Sequence, residues 1–477
     1  MRTRWVLLLL SATTILTPRG TIKAADSAAV PTFNRDVLPI LQKHCQSCHR
    51  PGQIAPFSML SYESTRPWAR SIKARAESRQ MPPWFADPQH GSFANDRSLA
   101  QRDIDTLVKW ADTGAARGDV LDAPPAIEWP VAGWQIKPDI VVRGPAFRVP
   151  AHTPSDVVEW ADITIPSGFT KDTLITSLEI KPSDLSVTHH ICVTFVPHRP
   201  NVKYYEWSWS ESPRDEDGVA TDKGATSGRA GAVPLTRVSP TGTAVEFDGN
   251  ENRLSRAATG GGNVCYVPGV QPDDYRPFHA AKLIPANSDI TFAVHYTPTG
   301  TEVVDYPLIG FTLADRQPEK QWISFNISGA GPTFAIPPND GNYLSPLAEA
   351  EFGADAWIVQ MMPHMHLRGK DMRYRLIFPD GREQVILNVP KYDFNWQLVY
   401  QPIDPIFVPK GTKLQVDAHF DNSSSNKFNP NPNITVYPGR MTWEEMMSPF
   451  FGVLVDSKTD PKTVLKLKGQ TVNGAGA

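Results

Sequence analysis

The chain has 477 residues, which is enough for about three domains with well-buried cores. Its formal net charge is −3, and no Lys/Arg run is present, so the composition argues against nucleic acid or an anionic surface as a partner. The sequence contains 45 prolines, which recur between short runs rich in Val, Ile, Thr and Phe. Prolines at this density break helices and favour turns and edge strands, so most of the chain is predicted to be β-rich.

The N-terminus has the pattern of an export signal. Arg2 and Arg4 precede an apolar run over residues 5–16, and small residues follow it. This pattern predicts a signal peptide over residues 1–25, and a retained membrane anchor is the alternative. The run is short for a bilayer span, and no later segment has the roughly 18 apolar residues that a span needs. We therefore expect an exported protein, periplasmic or extracellular, without a stable membrane span.

Residues 31–118 are predicted to form a compact helical domain. Apolar spacing over 33–41 and the amphipathic run Ser98–Ala111 indicate helices, with Ser98 as a possible N-cap and Gly114 as a stop. The Cys45-Gln-Ser-Cys48-His49 sequence, followed some tens of residues later by Met81-Pro-Pro, resembles that of small cytochrome c modules, so the expected fold is a small all-α, cytochrome c-like domain.

The sequence Cys45-Gln-Ser-Cys48-His49 lies in this region and is typical of covalent haem attachment. The two thiols add to the haem vinyl groups, and the histidine is then the proximal iron ligand. Half of a zinc site is the first alternative, but zinc needs further ligands nearby, and Cys192 and Cys265 are distant and single. A redox dithiol is the second alternative, but it does not need the histidine. The motif therefore predicts haem c.

A low-spin haem usually takes a second axial ligand, and a Met thioether raises its reduction potential. Met81 is the candidate because two prolines fix the backbone directly after it, and Trp84 is expected to pack on the porphyrin. Three other side chains are rivals for this position: Met59, His44 and His90.

From Trp134 onward the apolar runs are strand-like, and a boundary near residues 315–330 divides them into two halves. Residues 204–262 have weak periodicity and are expected to form an irregular insertion. The two remaining cysteines, Cys192 and Cys265, could pair in an oxidising compartment, but the sequence leaves their pairing open.

The β-rich part contains a set of possible metal ligands, namely His189, His190, His295, His364, His366 and Met446. Alternate residues of a strand share a face, so His364 and His366 can meet one metal, and a thioether beside them favours copper. Adjacent His189 and His190 need a bulge or a strand end to act together, and His295 would complete an all-nitrogen site for copper or zinc. Taken singly, each histidine also fits a hydrogen-bonded or surface role, and Met446 and Met447 fit a core role.

The order His-His, His-Tyr, His-x-His-x-x-Gly and Glu-Glu-Met resembles the copper type II, ascorbate-dependent monooxygenases, which include peptidylglycine α-hydroxylating monooxygenase and dopamine β-monooxygenase. The segment Tyr392–Gln397 also looks like part of that family. The resemblance implies two antiparallel β-sandwich domains, over 135–320 and 330–460, that face each other across a cleft. It also implies an electron-storing copper and an oxygen-activating copper, whose ligands would be His189, His190 and His295 for the first and His364, His366 and Met446 for the second. Met447 is the rival to Met446.

The family inserts one oxygen atom of dioxygen into an aliphatic C–H bond and reduces the other to water. Met362 stands where the peptide-amidating member carries a substrate-binding arginine, which argues against a peptidylglycine substrate. We therefore expect an exported copper-dependent monooxygenase that takes a small-molecule substrate, dioxygen and an electron donor (ascorbate or a redox protein), with electrons passing through the haem. The alternatives are a non-catalytic copper and haem electron-transfer protein and an exported zinc-binding module.

Overall fold

The computed structural model describes residues 30–129, 133–152, 158–198, 202–210, 236–238, 244–246, 264–328, 333–439 and 442–467. The predicted signal peptide, residues 1–25, lies outside these ranges. Strands account for 35% of the chain and helices for 14%, so the protein is mainly β.

The N-terminal part contains short helices, which follow a single π-helical turn at Phe33–Val37: α1 (Leu38–His44), α2 (Tyr62–Thr65), α3 (Ala69–Glu77) and α4 (Gln101–Asp112). Helix α4 forms because Ile104, Leu107 and Trp110 recur on one face, which is buried against the other helices. The helix ends at Thr113, and Gly114 follows with a φ of 96°.

The predicted all-α cytochrome c-like domain is wrong. Within the described residues the longest helix has 12 residues, and no sizeable all-α domain is present. The segments around α2 and α3 contain Pro51, Pro56, Pro82 and Pro83, which interrupt helical hydrogen bonding. The result is a small helical cluster attached to a β protein.

The first strands, in chain order, are β1 (Ile140–Arg143), β2 (Phe147–Val149), β3 (Val158–Pro166), β4 (Thr173–Pro182), β5 (Thr188–Pro197), β6 (Ser208–Ser210), β7 (Thr236–Val238), β8 (Ala244–Glu246), β9 (Val264–Tyr266), β10 (Asp273–Asp274), β11 (Ala280–Ile284), β12 (Ser288–Tyr296), β13 (Val303–Asp305), β14 (Pro307–Leu313) and β15 (Lys320–Asn326). The later strands are β16 (Tyr343–Leu344), β17 (Ala348–Phe352), β18 (Ala356–Met362), β19 (Gly369–Ile377), β20 (Glu383–Val389), β21 (Ile406–Val408), β22 (Lys413–Phe420), β23 (Phe450–Asp456) and β24 (Leu465–Leu467). Strands β6, β7 and β8 lie within 204–262 and pair with one another.

These strands form three larger sheets. A nine-stranded sheet has the order β1-β14-β4-β11-β15-β23-β18-β21 with β10 beside β4, and a seven-stranded sheet has the order β8-β7-β6-β3-β12-β5-β9. A six-stranded sheet has the order β20-β19-β22-β17-β24 with β16 beside β22, and β2 pairs with β13 separately. The nine-stranded sheet crosses from the first β half to the second through parallel pairing of β11 with β15, so the two halves share one sheet. The resemblance had implied two separate sandwiches.

Two buried cores fill the β part, one in each half of the chain. Strand β22 shows the alternation that builds them, since Val416, Ala418 and Phe420 point inward and their neighbours do not. Trp84 packs against the second core, with ring centroids 4.9 Å from Tyr400. Trp84 therefore covers part of this β core, and its packing on a porphyrin stays a prediction.

A disulfide joins Cys192 of β5 to Cys265 of β9, which answers the question that the sequence left open. The bond is consistent with an oxidising, exported location. Among the helices of the described residues, none has the length and apolar character to cross a membrane.

Candidate metal centre

Strands β5 and β12 bring three histidines together. The two strands are antiparallel, with His190 directly opposite His295, and the register shifts at the next pair, where Tyr296 faces Thr188. This irregularity near the strand end leaves His189 out of the regular pairing, as joint ligation requires. The Nδ1 atoms of His189 and His190 lie 3.0 Å apart, and the ligand atoms of all three histidines lie within 4.8 Å of one another.

These three imidazoles are held in the neutral form that binds metals. Burial, and then the neighbouring His364, lowers the pKa of His189 to about 4, and burial followed by nearby histidines lowers the pKa values of His190 and His295 well below the usual range. Nε2 of His189 is buried, and it has no hydrogen-bond partner within the described part of the chain. A metal ion would satisfy that nitrogen.

The second pair, His364 and His366, follows the end of β18. The sequence predicted both on a strand, but they lie in the loop after it, with their rings nearly perpendicular and the centroids 5.3 Å apart. Nδ1 of His364 donates to Oε1 of Gln397 at 2.8 Å, and Nδ1 of His366 donates to the Glu444 carbonyl at 3.1 Å. Because these bonds engage Nδ1, each ring would bind a metal through Nε2.

Glu445 shapes the loop that carries this pair. Its carboxylate accepts from the backbone N–H groups of His366 at 2.9 Å, Arg368 at 2.6 Å and Met446 at 3.3 Å. Burial raises the pKa of Glu445 to about 7, while the adjacent Arg368 guanidinium and these N–H groups oppose the rise. Arg368 is fully buried, and it donates to Asn422 and to the Trp443 carbonyl. Glu445 belongs to the Glu-Glu-Met motif, and no local pattern predicted a structural role for it or for Arg368.

Met446 and Met447 have different environments. Met447 is fully buried within the second β core, whereas Met446 is partly exposed beside the Glu445 carboxylate. Core packing explains Met447, so Met446 is the better candidate for a thioether ligand.

The two histidine sets meet. The ring centroids of His190 and His364 are 6.4 Å apart, and Phe394 stacks on His189 at 4.8 Å while lying 6.3 Å from His366. We call His189, His190, His295, His364 and His366 the five-histidine cluster. The sequence had predicted two separate ligand sets, and the structure places both in one buried group.

The segment Tyr392–Gln397 positions this cluster from one side. Gln397 orients His364, Phe394 contacts both histidine sets, and the Tyr392 hydroxyl donates to the Met365 carbonyl at 2.7 Å. This arrangement gives the segment a physical role in holding the His364–His366 loop.

The predicted haem-attachment residues follow α1. Cys45 and Cys48 are both free thiols, and the backbone turns between them, with the His49 N–H donating to the Cys45 carbonyl at 2.9 Å. Nδ1 of His49 donates to the Phe57 carbonyl at 3.2 Å, and burial lowers the pKa of this imidazole. A neutral ring fixed through Nδ1 has Nε2 as its ligand atom, so these residues fit a covalent haem.

Among the candidates for the second axial ligand, Met81 is 36% exposed and lies just after α3. The Met59 N–H donates to the His49 carbonyl, and the Met59 side chain packs among the helices. Nδ1 of His44 contacts the Arg97 carbonyl, and its Nε2 is buried without a hydrogen-bond partner among the described residues, while His90 lies beside Asp87. Met81 therefore stays a prediction.

Two cavities lie near the haem motif. One of about 340 Å³ is lined by Cys48, Cys265 and Tyr266, and another of about 940 Å³ is lined by Arg50, Trp129 and other residues. Neither of these two linings includes a member of the five-histidine cluster.

No protein-family model matches the chain, and no curated protein matches it. Among solved structures it has a likeness to an infectious bursal disease virus Gt strain structure, at 8% identity over 70% of this chain and 77% of that chain, with a TM-score of 0.15. A Sputnik virophage structure is similar at 11% identity over 81% and 97% of the two chains, with a TM-score of 0.16. Likenesses this low carry no argument about fold or function.

Proposed function

We propose that the protein is an exported copper-dependent monooxygenase, periplasmic or extracellular, which hydroxylates an aliphatic C–H bond with electrons supplied through a covalent haem. The observation that carries the proposal is the five-histidine cluster, in which imidazoles from both β halves meet, four of them buried and that of His189 half-buried. A structural role explains one buried histidine, but it does not explain five together, because each imidazole loses solvation and Nε2 of His189 has no hydrogen-bond partner among the described residues.

The donor set favours copper. His189, His190 and His295 would hold one ion through nitrogen atoms alone, and His364, His366 and Met446 would hold a second with a soft thioether. Copper bound in these positions would supply one-electron storage and dioxygen activation. Zinc would fit the all-nitrogen set, but zinc sites do not normally use a thioether, so zinc does not account for Met446 in the second set.

The protein's own residues have separate tasks in this proposal. Gln397 and the Glu444 carbonyl fix the rings of His364 and His366, and Glu445 holds the backbone between them and Met446. The Phe394 ring excludes water from the side of His189 on which it stacks.

The haem part of the proposal rests on Cys45, Cys48 and His49. The two free thiols would form thioether bonds, and His49 would ligate iron while its Nδ1–H bonds Phe57. The haem would supply single electrons from ascorbate or a redox protein. The Cys192–Cys265 disulfide is consistent with the oxidising compartment in which such attachment occurs.

The test compares the wild-type protein with His364→Ala and with His152→Ala, a matched change at an exposed histidine. With ascorbate and a panel of small aliphatic substrates, the wild type and the His152 variant should consume dioxygen in a substrate-dependent way. His364→Ala should lose this consumption while its haem spectrum is unchanged. Equal consumption by all three proteins would contradict the proposal.

One observation favours the non-catalytic alternative, a copper and haem electron-transfer protein. The five-histidine cluster lines neither of the two cavities described above, so substrate access to it is not provided by them. A copper-loaded and haem-loaded protein that cycles electrons without consuming dioxygen would establish this second function.

A further inference from the structure

Strand β9 lies between the haem-attachment motif and the five-histidine cluster. On one side, Cys265 and Tyr266 of β9 share the 340 Å³ cavity with Cys48. The loop after β9 approaches the same thiol, since a Cβ atom on Gly269 would lie 3.5 Å from Cys48 Sγ. The Arg97 guanidinium donates to the Gly269 carbonyl at 3.0 Å and so fixes this loop to the helical part.

On its other side, β9 pairs with β5, the strand that carries His189 and His190. Tyr266 is opposite Ile191, which is the residue bonded to His190, and Cys265 is opposite Cys192. The disulfide makes this second connection covalent, with a Cα–Cα distance of 4.1 Å. Two residues of strand span about 7 Å, so the peptide path from Cys192 back to His190 is short.

Tyr266 contributes an aromatic ring to the 340 Å³ cavity that Cys48 also lines. It is partly buried against the first β core, and burial, followed by the neighbouring Cys48, raises the pKa of its phenol. The ring therefore stays protonated and lies between the Cys48 cavity and the chain that bears His190.

We propose that β9 is the electron path from the haem to the copper held by His190, with the Cys192–Cys265 disulfide and the Tyr266 ring as its two connections. The inference rests on the proposed function, because it needs both redox centres. With both groups bound, one electron would pass from ferrous haem to cupric copper and leave ferric haem and cuprous copper, with no bond or proton transferred. Tunnelling falls steeply with distance and is faster through bonded atoms than across gaps, so a covalent strand-to-strand link favours this route.

The experiment uses the full chain with haem attached and copper loaded, and a photoreductant reduces the haem in a short pulse. Haem reoxidation is followed by absorbance, and loss of Cu(II) is followed by EPR. In the double variant Cys192→Ala with Cys265→Ala, the transfer rate should fall several-fold or more while haem and copper contents match those of the wild type. If the disulfide only stabilises the fold, its removal will lower the unfolding temperature without changing the electron-transfer rate. That result would overturn the proposal.

Tyr266 provides a second test that does not depend on the disulfide. Tyr266→Leu removes the ring and should slow the transfer several-fold, whereas Tyr266→Phe retains the ring and should transfer nearly as fast as the wild type. A wild-type rate in the loaded double variant, or in Tyr266→Leu, would refute this route without refuting the proposed function. A wild-type protein that binds no haem or no copper would instead refute the proposed function, and the route with it.

Discussion

Replacing Glu445 with alanine removes the acceptor that holds the His364–His366 loop to Met446. The change leaves the backbone N–H groups of His366, Arg368 and Met446 without this carboxylate, and each buried unsatisfied donor costs about 1–3 kcal/mol. The Arg368 guanidinium keeps its own partners, because it donates to Asn422 and to the Trp443 carbonyl. Some of the three N–H groups will find water, so we expect a total loss of about 3–5 kcal/mol in the free energy of unfolding.

Urea unfolding of the metal-free protein measures this loss. The matched control is Glu383→Ala, because Glu383 forms an exposed ion pair with Arg375 at 3.0 Å, and such pairs contribute about 1 kcal/mol or less. The Glu445 variant should also bind copper more weakly, since His366 loses the contact that fixes its backbone. If the free energy of unfolding decreases by the same small amount in both variants, Glu445 does not organise the loop as described.

Four further predictions address the cluster and the haem separately. His190→Ala should abolish copper binding at the all-nitrogen set, and copper titration monitored by EPR will show this as one lost site. Gln397→Leu should weaken copper binding about 10- to 100-fold by releasing the His364 ring, again measured by titration. Burial lowers the pKa of His364 from 6.5 to about 4, so the unfolded chain takes up this proton first. In the metal-free protein the contribution of this group to stability should fall by about 3 kcal/mol as the pH falls from 6.5 to 4. The difference in urea midpoint between the wild type and His364→Ala should change over that range, and a constant difference would be contrary. Cys48→Ala should prevent normal two-bond haem attachment while leaving copper content unchanged, as pyridine haemochrome and metal analysis will report.

Some candidate site residues have local sequence patterns. Cys45, Cys48 and His49 lie within five residues, and Nδ1 of His49 donates to the Phe57 carbonyl, but their attachment to haem stays a prediction. The need for an irregularity at His189 and His190 also followed from strand geometry, because neighbouring residues of a regular strand face opposite sides.

Features that depend on contacts between residues far apart in the sequence could not be predicted. The Cys192–Cys265 bond depends on the register of β5 with β9, and the shared sheet depends on β11 meeting β15. The roles of Arg368 and Glu445 become apparent only when a loop and a segment about 75 residues later pack together. No local pattern encodes such contacts.

The helical prediction failed for a different reason. Apolar spacing identified α4, but the prolines between the helices limited each helix to a few turns. Trp84 packs against the β core through its contacts with Phe93 and Tyr400. The Cys-x-x-Cys-His motif therefore did not predict the fold around it, and its haem chemistry stays a prediction.

The measurement that tests the central claim most directly is the metal and haem stoichiometry of the exported protein, combined with EPR of its oxidised form. The proposal predicts one covalent haem and two copper ions per chain, with Cu(II) signals that disappear on anaerobic reduction. Zinc in the five-histidine cluster, or a cluster that binds no metal, would contradict it.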